Sequence, residues 1–183
     1  MGAGKSTIGR LLARRLGWEF LDLDALIEAR AGATVPAIFA AHGESHFRKL
    51  ESQALASALG RNHIVLALGG GAPEVLTNRL LLEQTPGTAV IFLDAPFSIL
   101  FDRCMMQALD PTQVPSDAEP DQLLALSRPV FADPAAAETR YAQRQPIYRR
   151  LARHIVDTSA LGAEEAVTEV LSQLSHAPVS TRR

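Results

Sequence analysis

Short apolar runs alternate with segments of helical period along this chain. Ile8, Leu11, Leu12 and Leu16 fall on one stripe of a helix expected over residues 6–16, and Gly17 stops it. Residues 18–21 then read as a short strand ending at Asp22. Helical patterns follow over 24–31, 35–41 and 44–59, the last two parted by His42-Gly43. Residues 64–68 are apolar throughout and run into Gly69-Gly70-Gly71. A strand without alternation is one buried on both faces, as in a parallel sheet. Residues 89–93 repeat that pattern after a helix over 74–83 and a turn at Pro86-Gly87. Helices are expected over 96–107 and 135–152, then a weak strand at 154–156 and a final helix over 163–174. The alternation predicts an α/β fold, an open parallel sheet with helices on both sides.

Two segments break the rhythm. Residues 110–126 carry Pro111, Pro115 and Pro120 among Asp117, Glu119 and Asp121, the composition of an exposed loop. Residues 176–183 form a short polar tail, expected to fray. At 183 residues the chain can bury one continuous core. Its 18 Lys and Arg against 20 Asp and Glu leave a net charge of -2, which argues against duplex DNA or an anionic membrane as partner. A local basic site for a small anion remains compatible with that balance. The single cysteine, Cys104, excludes an internal disulfide framework and a multi-cysteine metal site, and fits a reducing compartment. No apolar run approaches the roughly 18 residues of a membrane helix, and Met1-Gly2-Ala3-Gly4-Lys5 holds no hydrophobic signal segment. A cytoplasmic monomer is expected.

The strongest chemical signal opens the chain. Gly2-Ala3-Gly4-Lys5-Ser6-Thr7 leads into the first helix. A phosphate loop needs glycines because its N–H groups must curl around a phosphate where side chains would block the approach. The lysine neutralises the β/γ oxygens, the next hydroxyl binds Mg²⁺ and the helix N-terminus adds its dipole. Lys5 and Ser6 fill those places. The motif's usual first glycine would lie five residues before Gly4, upstream of Met1, as would the strand that feeds the loop. The expectation is a natural product that starts upstream of Met1. A sheet without that central strand would leave two strands unpaired at its middle.

Several further motifs occur together with the phosphate loop. Phe20-Leu21-Asp22-Leu23-Asp24 precedes Ile27-Glu28, then Ile38-Phe39, and Gly43-Glu44 leads to Phe47-Arg48 with Glu51 one turn on. Leu68-Gly69-Gly70-Gly71-Ala72, Arg128-Pro129, and Arg144 through Pro146 to Tyr148-Arg149 complete the set. In this order they resemble the shikimate kinase family from Met1 to the final helix. The resemblance implies a three-layer P-loop kinase fold whose parallel sheet has five strands in the family, the first central one missing here. It implies one domain over 1–175 with a helical lid, an insertion over about 107–133, and a flexible tail over 176–183. It also implies transfer of the ATP γ-phosphoryl group, with Mg²⁺, to the 3-hydroxyl of shikimate.

Under that resemblance Gly2, Ala3, Gly4, Lys5, Ser6 and Thr7 hold ATP, and Ser6 with Asp22 suits the oxygen-loving Mg²⁺. Asp22 and Asp24, two apart at a strand end, are expected to point to the same side. Asp24 would take hydrogen bonds from the acceptor hydroxyls and accept the proton; capping the next helix is the plainer role, and the two are compatible. Arg48 and Arg144 would clamp a carboxylate by paired hydrogen bonds. Solvated surface is the alternative for each, since Arg48 neighbours Lys49 and Glu51, and Arg144 lies among Arg140, Arg149, Arg150 and Arg153. Gly69, Gly70 and Gly71 would admit the substrate close to the backbone. Phe39 suits the substrate ring and the core equally.

Arg128 matches the family's lid arginine, which would close over ATP and neutralise charge on the transferred group. It lies 25 positions after Arg103, a longer lid than the family's, filled by the Pro- and acid-rich insert. His42 and His46 are expected to be solvated rather than metal-bound, and Cys104 to pack. A gluconate kinase and a nucleotide-binding regulator or inactive paralogue are the competing functional readings.

Overall fold

Glycines bound the first helix, α1 (Lys5–Leu16). Gly4 precedes it at φ 74 and Gly17 ends it at φ 68, both in the left-handed region that glycine enters freely. The Gly17 N–H returns to the carbonyls of Ala13 and Arg14, closing the last turn. In this computed structural model, residues 2–108 and 133–176 are described. The order continues with β1 (Glu19–Asp22), α2 (Leu23–Ala31), α3 (Val35–Leu59), β2 (Ile64–Ala67) and a 3₁₀ turn (Ala72–Glu74). Then come α4 (Leu76–Gln84), β3 (Ile91–Asp94), α5 (Phe97–Ala108), α6 (Pro134–Leu151), β4 (His154–Asp157) and α7 (Ala163–His176). The expected break at His42-Gly43 is a kink within α3, where Gly43 adopts φ 76, ψ 175. The final helix runs two residues past its expected end, into the segment read as tail.

All strand pairing among the described residues is parallel. Glu19–Asp22 lies against Ile64–Ala67 with Phe20 opposite Val65, and Ile91–Asp94 lies against His154–Asp157 with Phe92 opposite Ile155. The sheet differs from one continuous layer. It is two pairs, β1–β2 and β3–β4, and no ladder joins β2 to β3 among the described residues. The break falls where the resemblance puts a further central strand, so β2 and β3 each keep an edge of backbone donors and acceptors with no strand beside it.

Side chains join the two pairs instead. Val65 of β2, Ile91 and Leu93 of β3, and Val156 of β4 pack with Ile8 and Leu12 of α1 and with Val167 and Val170 of α7. Because strand side chains alternate, the next residue, Leu66, faces the opposite layer. There it packs with Leu23 and Ile27 of α2, Ile38, Phe47 and Leu55 of α3, and Leu151 of α6. Helices therefore cover both faces, the three-layer arrangement. Phe39 sides with the core, since its ring lies 4.6 Å from that of Phe47. Cys104 is buried in α5. The rings of His42 and His46 face each other at 4.7 Å. Among the described residues no group of three or more metal-binding side chains gathers, and no helix is long and apolar enough to cross a membrane.

Candidate active site

The phosphate loop takes the shape its glycines allow. Gly2 and Gly4 hold φ 61 and φ 74, and a Cβ on Gly2 would run into the backbone of Leu100. These conformations turn the loop into the N-terminus of α1, where unpaired N–H groups and the helix dipole favour an anion. Ser6, in the first turn, donates its Oγ hydrogen to Asp22 Oδ2 at 2.9 Å. A hydroxyl and a carboxylate side by side at a phosphate loop form a hard-oxygen donor set that fits Mg²⁺.

Asp22 also caps a helix. Its Oδ1 accepts the backbone N–H of Asp24 at 3.1 Å, so Asp22, and not Asp24, is the N-cap of α2. The alternation argument for the two acids is corrected by this geometry. The strand ends at Asp22, and Asp24 is the second residue of the helix, in its first turn, so helical geometry rather than strand alternation aims its side chain. That aim brings Asp24 to the second glycine loop.

The three glycines after β2 are each the meeting point of a charged group. A Cβ on Gly69 would lie 3.0 Å from Asp24 Oδ1 and 3.4 Å from Glu51 Oε1. One on Gly70 would lie 3.4 Å from the Tyr148 hydroxyl and 3.5 Å from Arg144 Nη1, and one on Gly71 would overlap the Arg48 guanidinium. Tyr148 donates to the Gly70 carbonyl at 2.5 Å. The loop is braced from behind, where the buried Asn78 donates Nδ2–H to the Ala72 carbonyl at 2.9 Å. Asp24, Arg48 and Arg144 thus converge on one loop from α2, α3 and α6.

Each cation already has an acidic partner. Arg48 donates to Glu51 at 2.8 Å and to Glu44 at 3.0 Å. Arg144 donates to Glu74 at 2.6 Å. Burial, with Asp22 beside it, holds the Asp24 carboxyl above its ordinary pKa against the pull of Lys5 and Arg48. Burial likewise raises Glu51, which is only 1% exposed, although Arg48 opposes the shift.

With this geometry in place, comparison with known proteins is decisive. The family profile described as shikimate kinase matches residues 1–175. The chain belongs to the shikimate kinase family. A shikimate kinase of Symbiobacterium thermophilum is 38% identical over 175 residues, spanning 95% of this chain and 91% of that protein. One from Bordetella avium is 39% identical over 175 residues, spanning 95% of this chain and 75% of its own length. Among solved structures, the Acinetobacter baumannii shikimate kinase in complex with shikimate superposes with a TM-score of 0.75 at 34% identity, covering 96% of this chain and 88% of that one.

Within the shikimate kinase frame, Arg128 and the lid insertion lie outside the described residues, apart from the ends of the insertion in α5 and at Asp133, which caps α6. A cavity of about 440 Å³ opens beside the phosphate loop, lined by Gly4, Thr7, Asp102, Arg103 and Thr158. Arg103 is fixed there by hydrogen bonds to the Thr158 hydroxyl at 3.2 Å and carbonyl at 2.6 Å. A larger groove of about 610 Å³ between β4 and α7 holds none of the predicted site residues.

Sequence reasoning gave no role to Glu51, Tyr148, Glu74 or Asp94. Helical spacing could have found two of them, because Glu51 is three residues after Arg48 and Tyr148 four after Arg144. Asp94 ends β3 and accepts hydrogen bonds from Tyr141 at 3.0 Å, Gln145 at 3.3 Å and Arg149, three residues of one face of α6. That fixes the helix that carries Arg144. Burial and the Asp94 carboxylate push the Tyr141 phenol up to about 12, so it stays neutral and donating.

Proposed function

We propose that this chain transfers the γ-phosphoryl group of ATP to the 3-hydroxyl of shikimate. The observation that carries the reading is the convergence of Asp24, Arg48 and Arg144 on the loop of Gly69, Gly70 and Gly71. Two guanidiniums beside a carboxylate, over a glycine floor, suit a carboxylated ring with hydroxyl groups. The Acinetobacter relative, solved with shikimate, supports that acceptor.

Phosphoryl transfer asks mainly for alignment and charge neutralisation. In this reading Gly2, Ala3, Gly4, Lys5, Ser6 and Thr7 cradle the ATP phosphates, and the cavity bounded by Arg103 and Thr158 takes the nucleoside end. Ser6 and Asp22 would hold Mg²⁺, which when bound neutralises phosphate charge. Arg48 and Arg144 bind the acceptor carboxylate and so direct the opposite side of the ring at ATP. Asp24 accepts a hydrogen bond from the attacking hydroxyl and takes its proton as the oxygen–phosphorus bond forms. A carboxyl held above its ordinary pKa is a stronger base for that step than an exposed aspartate. Arg128 closes from the lid and balances charge on the transferred group. The same reading takes the protein to be a cytoplasmic monomer.

A coupled assay of ADP release tests it. Turnover with shikimate and none with gluconate is expected. Gluconate turnover without shikimate turnover overturns the acceptor assignment, and ATP binding without turnover of any acceptor turns the reading towards a regulator.

A further inference from the structure

The two arginines proposed for the acceptor carboxylate are held differently. Arg48 is tied to Glu51, which is only 1% exposed and belongs to the same helix, three residues on. That pair moves as one unit. Arg144 is tied instead to Glu74, across 70 positions of sequence, and the two side chains are 15% and 39% exposed. Glu74 closes the 3₁₀ turn that follows the three glycines, and its backbone is anchored at both ends. The Glu74 N–H donates to the Gly71 carbonyl at 2.9 Å, and the Glu74 carbonyl accepts from Arg79 at 3.0 Å. The side chain alone is therefore free to swing. Its link also satisfies Arg144 only in part, since Arg144 Nε is buried with no hydrogen-bond partner.

We propose that Glu74 is a built-in stand-in for the acceptor carboxylate, occupying Arg144 in the empty site and leaving it when acceptor binds, so that it sets acceptor affinity. The inference rests on the shikimate reading above. A carboxylate entering between Arg48 and Arg144 meets a site whose cations are already neutralised, Arg48 by Glu51 and Glu44 of its own helix and Arg144 by Glu74 from the glycine loop. Repulsion between like charges then disfavours simultaneous occupancy. Glu51 is buried and fixed, whereas Glu74 is exposed enough to be released to water at low cost. While it stays, Glu74 keeps Arg144 from standing uncompensated near Arg48 and holds the guanidinium beside Gly70. The device trades affinity for a preorganised empty site and discriminates against neutral rings, which cannot displace it.

The test is a kinetic cycle on Glu74→Gln, Arg144→Ala and the double variant, with shikimate and its methyl ester as acceptors. Glu74→Gln is expected to lower the KM for shikimate about two- to fivefold, the upper part of the range of an exposed ion pair, with kcat within twofold. It should bring no gain for the ester, and the gain for shikimate should vanish in the Arg144→Ala background. If Arg144→Ala raises the shikimate KM but Glu74→Gln leaves it unchanged or raises it, Glu74 is no competitor and the proposal falls while the acceptor reading stands. If Arg144→Ala leaves the shikimate KM unchanged, the carboxylate clamp itself is wrong and both fall together.

Discussion

The Arg48 guanidinium occupies the space that a side chain on Gly71 would need, with Cζ only 2.7 Å from where the Cβ would sit. Gly71 has φ -87 and ψ -16, a right-handed conformation open to any residue, so the glycine is needed for room and not for backbone freedom. Gly71→Ala should therefore fold normally and push Arg48 aside by the width of a methyl group. A displacement near 1 Å at a positioning residue costs up to about 100-fold. The expected result is a rise of roughly tenfold or more in the shikimate KM with the ATP KM within twofold, read from steady-state kinetics alongside a melting curve.

Asp24 opposes stability and activity to each other. Its folded-state pKa lies above that of an ordinary aspartate because burial and Asp22 disfavour the charge. A raised carboxyl pKa contributes stability that is fully present below the unfolded pKa and is lost as pH rises through the folded one. At neutral pH the ionised Asp24 is therefore a cost to the fold. Asp24→Asn should raise Tm at pH 7, where each kcal/mol is worth roughly 2–4 °C in a chain of this size. The gain should shrink towards zero below about pH 4. Turnover should fall by about 10²–10⁴-fold, the contribution of a positioned base. Parallel melts at the two pH values and single-turnover rates check both halves.

The phosphate loop, the strand ends and the glycine loop were legible in the sequence because each depends on local chemistry: positive φ, apolar runs, absent side chains. Helix limits from Gly17 to Leu151 followed from the same local rules. What local rules missed is tertiary. Alternation at the strand end would aim Asp22 and Asp24 to the same side, yet the cap at Asp22 starts the helix at Leu23, and only the folded chain shows Asp24 against Gly69. The ion pair of Glu74 with Arg144 spans 70 positions, and the pairing of Tyr141 with Asp94 spans 47. No periodicity reports contacts at that separation. The two-pair sheet was foreseen only as a missing centre; that α1 and α7 side chains bridge the pairs needed the structure.

The cap that Asp22 forms and the metal role proposed for it can be separated by one substitution. Asparagine caps a helix about as well as aspartate, whereas alanine does not. Asp22→Asn should keep α2 and its Tm while removing the negative charge that suits Mg²⁺ beside Ser6. Asp22→Ala should lose the cap as well, costing about 1 kcal/mol. A titration of activity against Mg²⁺ is expected to shift to higher concentration in both variants, and a melting curve to shift only in the alanine one. An unchanged Mg²⁺ requirement in both would remove Asp22 from the metal site.

Arg48 is tied to stability through Glu51. Removing one partner of a buried pair leaves an uncompensated charge and costs about 3–5 kcal/mol, more than the pair itself contributes. Glu51 is 1% exposed, so Arg48→Ala should destabilise the fold by roughly 3 kcal/mol at pH 7, besides weakening acceptor binding. Burial already holds the Glu51 carboxyl above its ordinary pKa, and Arg48 is the main force pulling it down. Without Arg48 that pKa rises further, and the destabilisation is felt only where the carboxyl is ionised. The deficit of Arg48→Ala should therefore shrink as pH falls from 7 towards 5, a higher range than for an ordinary surface salt bridge, whose carboxylate protonates only at lower pH. Adding Glu51→Gln should recover part of the lost stability at pH 7, because the buried charge is gone, and restore none of the lost shikimate affinity, because the clamp is still missing. Urea denaturation of the two variants at both pH values reads the first effect, and calorimetric titration of the double variant with shikimate reads the second. If Arg48→Ala is equally destabilising at pH 5 and 7, packing and not the Glu51 charge accounts for the loss.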